Sequence, residues 1–113
     1  MPALPGRAKH KITVKQAQAH TRRHRNIHLP HDPRHHPIAS HGGCFEAKQV
    51  RALLDQGCTH LAVYHGISEE GRPTVILVGR DATAKDMVGP RSMVLEEWFP
   101  CPPYCDASSP LNS

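Results

Sequence analysis

The stretch "NIHLPHDPRHHPIASHGG", Asn26 to Gly43, constrains the fold more than any other part of the chain. Its three prolines each remove a backbone donor, and its two glycines close it. Neither a helix nor a strand ladder runs through such a segment, so it reads as a loop or linker. A loop of this length is uncommon inside a compact domain unless it is functional or disordered. The 113 residues therefore divide into a basic, His- and Pro-rich arm over 1–43, a core over 44–99 and a Pro- and Cys-rich tail over 100–113. The total length suits one domain with one small core.

Charge follows the same division. Before Gly43 lie eight Lys or Arg against Asp32 alone, a balance of +7, and the remainder carries −3. Eight of the ten histidines also precede Gly43, so the arm gains positive charge as pH falls through the imidazole range near ~6.5. The apolar fraction of 38 % lies below the globular average of about 45 to 50 %. Much of the chain is thus expected outside regular structure. The first thirty residues lack the apolar stretch of a secretory signal, and Val75 to Val78 is too short to cross a membrane. The expected location is the cytoplasm, with no membrane partner, and four cysteines in a reducing compartment would stay as thiols or bind metal.

The local patterns predict an α+β fold: a small antiparallel sheet of three to four strands with one or two helices on one face. Thr13 and Gln16 have the spacing of a capping box, and Ile12 could staple to Ala17, which places a helix at about 14–25 with a thin stripe of Val14, Ala17 and Thr21. "FEAKQVRALLDQG" gives a second helix from the recurrence of Ala47, Val50 and Leu54 with Leu53 beside them, ended by Gly57. In "HLAVYHGI", Leu61, Val63 and Ile67 share one face at period two; "TVILVGR" is an apolar β-branched run, and "SEEGR" joins the two as a hairpin loop. After "RDATAKD" a short third strand is expected around Met87 and Val88, and "SMVLEEWF" offers a fourth.

With "LLDQGC", "HLAVYHGI", "TVILVGRDATAKDMV", "CPPYC" and the late "PLN" in this order, the last two-thirds of the chain resembles a group of small uncharacterised bacterial proteins. The resemblance implies a helix-plus-hairpin core and a shared role for the tail. It transfers no cofactor, activity or catalytic residue.

The cysteines are the first chemical candidates. If residues 45–56 are helical, Cys44 and Cys58 flank a rod of about 18 Å, whereas a disulfide needs Cα atoms within about 7 Å. Cys101 and Cys105 stand differently, because a stretched polyproline path would separate them by ~12 Å while a turn at Pro103 would bring Cys105 back. A C-x-x-x-C spacing also suits half of a zinc site. The remaining ligands would come from His41, Cys44, Cys58 or His60, although small buried thiols are the simpler reading of Cys44 and Cys58. A catalytic dithiol is disfavoured, since two prolines precede the second cysteine and no helix opens there. The loop histidines His28, His31, His35 and His36, with His24, suit weak binding of transition metals.

Arg22, Arg23 and Arg25 form the second candidate site, a basic helix face for a protein partner or for nucleic-acid phosphates. Against nucleic acid, Phe45, Tyr64, Trp98, Phe99 and Tyr104 are not interleaved with the basic residues in sequence. Ser40, Ser68 and Ser92 lack a nucleophile context, and Glu69, Glu70, Glu96 and Glu97 fall in turns or on solvent faces. The expectation is a non-enzymatic interaction module acting through its arm and its tail. A zinc-binding module is the first alternative and a nucleic-acid-binding protein the second.

Overall fold

The computed structural model describes Leu4, residues 10–26 and residues 42–112. Its elements are α1 (Val14–Arg25), β1 (Gly42–Cys44), α2 (Ala47–Leu54), β2 (His60–Ile67), β3 (Pro73–Arg80), β4 (Val94–Leu95), β5 (Phe99–Cys101) and a closing 3-10 turn at Pro110–Asn112. The fold is α+β with two small antiparallel sheets, ordered β1-β5 and β2-β3-β4. Among the described residues no helix is long and apolar enough to cross a membrane.

The described residues cluster into two compact units. The first takes in Phe45–Trp98 together with Leu4. The second joins what the sequence separates, because arm residues up to Cys44 and the tail from Phe99 onward form one unit. The reason is pairing across a long interval: β1 and β5 form a ladder with Gly42 opposite Cys101, Gly43 opposite Pro100 and Cys44 opposite Phe99.

In the first unit, β2 and β3 pair over eight positions from His60↔Arg80 to Ile67↔Pro73. Their loop is fixed by Ser68, whose N–H donates to the Arg72 carbonyl at 2.8 Å and whose carbonyl accepts from Gly71 at 2.9 Å. Gly71 sits at φ +81°, a left-handed conformation that glycine adopts without steric cost. Helix α2 packs on β3 and β4, and Gln56 beyond its end accepts from the Met93 N–H at 3.0 Å. Leu53, 1 % exposed, centres a core that includes Ala62, Leu77, Val78 and Ala84.

Three expectations change. The buried side of α2 runs through Leu53, while Leu54 is exposed. Leu61, Val63 and Ile67 do share a face, yet all three are exposed and Ala62 is the buried residue of β2. The outer position of β2 explains this, since an eight-residue helix is only about 12 Å long and packs on the other two strands. The strand offered by "SMVLEEWF" does form, as β4 opposite Leu77 and Val78, whereas no strand forms at Met87–Val88. There Asp81 caps a turn by accepting from Thr83 and Lys85, Ala84 bends the chain at φ +68°, and only Asp86 bridges to Arg80.

Gly79 marks the closest approach in this unit. A Cβ there would lie 2.8 Å from the Cβ of Cys58 and 3.1 Å from its Sγ. Gly79→Ala should therefore cost about 1 to 3 kcal/mol through overpacking. In urea unfolding, Cys58→Gly should restore part of that loss in the double variant, whereas Cys58→Ala, which keeps the nearest atom, should not. An unchanged unfolding midpoint for Gly79→Ala would contradict the packing.

Candidate functional site

The second unit gathers most of the residues singled out by the sequence. Its helix begins as the capping-box spacing requires: the Thr13 Oγ1 accepts from the Gln16 N–H at 3.1 Å, and the Gln16 Oε1 accepts from the Thr13 N–H at 2.9 Å. Arg22, Arg23, His24 and Arg25 occupy its last turn, where cationic side chains complement the partial negative charge of the carbonyl end. The half-buried side is Ala17, Gln18, Thr21 and Arg25, while Val14, expected on the stripe, is exposed. Position 25 therefore packs and does not simply project, with its Nη1 donating to the Leu111 carbonyl at 2.7 Å. Arg22 and Arg23 are exposed, and an Arg23 guanidinium nitrogen meets His20 Nδ1.

The surface that α1 meets is the closing turn of the tail, and local hydrogen bonds shape it. Asp106 Oδ1 accepts from the Ser108 hydroxyl at 2.7 Å and from its N–H at 3.1 Å. Led by the hydroxyl, these bonds hold the Asp106 carboxyl below the usual carboxylate range. Asn112 reaches back, donating from Nδ2 to the Asp106 carbonyl at 2.8 Å, with its Oδ1 3.8 Å from Cys101 Sγ.

The C-x-x-x-C interval closes on itself. The Tyr104 N–H donates to the Pro100 carbonyl at 2.9 Å, and a disulfide joins Cys101 to Cys105 across a Cα separation of 4.8 Å. Of the two open geometries, the turn is the one adopted. Cys101 is buried and Cys105 half-buried. Tyr104, 63 % exposed, meets Phe99, 50 % exposed, edge to face with ring centroids 5.7 Å apart. Phe99 thus packs within the tail, while Trp98 donates to the Pro73 carbonyl in the first unit at 3.4 Å.

For zinc the pairing matters, because sulfurs joined to each other are not thiolate ligands. Cys44 and Cys58 carry free thiols, with Cys44 on β1 and Cys58 and His60 in the other unit. His60 Nδ1 lies 2.9 Å from the Thr59 hydroxyl. Among the described residues no group of three or more His, Cys, Asp or Glu converges on one point. His28, His31, His35, His36 and His41 lie outside the described residues, as does most of the N-terminal arm before the first helix.

Sequence reasoning missed one side-chain cluster, in the first unit. Arg80 donates from Nε to Asp86 Oδ1 at 2.7 Å and from Nη2 to the Tyr64 oxygen at 3.0 Å, and the Tyr64 hydroxyl donates to Asp86 Oδ2. The three groups satisfy one another and tie the 81–86 loop to the sheet. They form a latch and contain no nucleophile. Its only sequence signal was the placement of Tyr64 and Arg80 on the same face of a paired hairpin; Asp86 is 22 residues from Tyr64.

No model of a known protein family matches the chain, and comparisons with curated proteins and with solved structures find no match either.

The latch sets an acid limit for the first unit. Tyr64 and then Arg80 hold the Asp86 carboxyl below its usual range, so its folded-state pKa is depressed. The associated stability is present above the ordinary carboxylate value near ~3.9 and is lost as pH falls through the lower folded value. In Tyr64→Phe, an NMR titration should find Asp86 ionising at higher pH than in the native chain. An unchanged titration would show that the tyrosine does not hold the carboxylate.

Proposed function

We propose that the protein is a non-enzymatic interaction module that binds an acidic protein segment through its second unit. One observation carries this reading: the basic helix and the tail, far apart in sequence, pack into a single unit through α1 and the closing turn. Arg22 and Arg23 are exposed on the helix, and the Phe99–Tyr104 pair is exposed on the tail of the same unit. Charge on the arginines would steer and orient an acidic partner, and an aromatic pair supplies the apolar area that carries binding energy at most interfaces. Arg25, held by the Leu111 carbonyl, serves to fix the helix to the tail.

A second reading has specific support. The sequence argument against nucleic acid rested on aromatics lying apart from the basic residues, and the tail returns two of them to the unit that holds the basic helix. Exposed rings beside arginines are the usual means of stacking single-stranded bases.

Fluorescence anisotropy separates the two with synthetic probes: a glutamate-rich peptide with a central phenylalanine, and a single-stranded oligonucleotide. Peptide affinity is expected to persist at physiological salt of about 0.15 M. Arg22→Glu with Arg23→Glu, and separately Tyr104→Ser, should each weaken it by about tenfold or more. Absence of saturable peptide binding, or equal affinity in the variants, would overturn the proposal. Preferential oligonucleotide binding that falls steeply with salt would replace it with the second reading.

A further inference from the structure

We propose that the second unit is a thiol–disulfide exchange site in which the Cys44 thiolate attacks the Cys101–Cys105 disulfide. The inference goes beyond the binding role and does not depend on it. The β1–β5 register places Cys44 opposite Phe99 and Gly42 opposite Cys101. Opposed residues of an antiparallel pair point to the same face, as do residues two apart on one strand. Cys44, Phe99 and Cys101 therefore share a face. Cys44 and Cys101 are diagonal neighbours, a relation that sets them about 7 to 8 Å apart, with Cβ atoms somewhat closer.

A disulfide spans Cα separations up to about 7 Å, so a small shift of β1 completes the approach. Gly42 and Gly43, the other two residues of this strand, carry no side chain that would resist it. The free thiol of Cys44 is exposed. Cys101 is only 7 % exposed, which hinders thiols arriving from solution, whereas Cys44 lies on the same face of the ribbon.

The step balances without an external oxidant or reductant. Cys44 gives its proton to solvent, and its sulfur electron pair forms a bond to Cys101 Sγ. The Cys101–Cys105 bond breaks, its electron pair leaves on Cys105 Sγ, and that sulfur takes a proton from solvent. One disulfide is lost and one is formed. Burial fixes the direction: Cys105 is the more exposed of the pair, so the departing thiolate is hydrated, whereas attack on Cys105 would place the charge on buried Cys101. Exchange opens the loop carrying Tyr104 while Cys101 stays in its ladder. The contact between Tyr104 and Phe99 then loses its covalent support.

The test uses the full chain with Cys58→Ser, isolated without reductant, so that the single free thiol is Cys44. Slow alkylation with limiting iodoacetamide is followed by peptide mapping. At most one label per chain is expected, shared between Cys44 and Cys105 in a ratio independent of protein concentration. Label confined to Cys44, label on Cys101 in place of Cys105, or a share that scales with concentration would each overturn the proposal. A second arm uses Cys105→Ser treated with oxidised glutathione. An intramolecular Cys44–Cys101 disulfide is expected, and accumulation of glutathione adducts alone counts against the site.

Discussion

Three residue pairs between β1 and β5 set the architecture of the chain. They enclose the whole of Phe45–Trp98, so forming them closes a loop of that length, at an entropic cost that grows only with the logarithm of loop length. The ladder is a weak device to carry that cost alone. One of its members is Pro100, which donates no hydrogen bond, and the opposing strand has two glycines with no side chains to pack. Support comes from its surroundings: the disulfide that follows β5, the edge-on contact of Phe99 with Tyr104, and the closing turn held by Arg25.

The two units illustrate different ways of stabilising few residues. The first relies on burial, with a leucine from a short helix set against the middle strand of a three-stranded sheet and a polar latch outside it. The second contains one buried residue, Cys101, among those described, and relies on caps, turns and a covalent bond. Asp106, Ser108, Ser109 and Asn112 supply hydrogen bonds where a larger domain would supply aliphatic side chains. A surface built in this way keeps its aromatic rings and cationic groups at the solvent boundary.

Much of this was legible in the sequence where the determining contacts are local. Thr13 and Gln16 located the first helix to the residue because both capping partners lie within one turn. The period-two run and the glycine in its loop located the hairpin for the same reason. The failures share a cause. Which face of β2 is buried depends on where α2 lands, and periodicity alone does not contain that. The strand expected at Met87–Val88 does not form because Asp81 closes a turn ahead of Met87. Arg25 finds its acceptor 86 residues away, and the cysteine pair chose one of two open geometries through contacts of the tail with itself. The loop histidines and His41 lie outside the described residues, so the sequence proposal for them stands where it began.

The interleaved order of the two units has a consequence for synthesis on the ribosome. Apart from Leu4, the described residues of the first unit are contiguous, so that unit can form as soon as Trp98 clears the exit tunnel. Helix α1 emerges earlier and has to wait, its half-buried side uncovered, until Leu111 arrives to accept the Arg25 bond. The strand pairing and the cysteine bridge need residues beyond Trp98, so they form only after the whole of Phe45–Trp98 has been synthesised. Any enzyme that oxidises or isomerises those cysteines therefore acts on a chain whose core residues are all in place along the sequence.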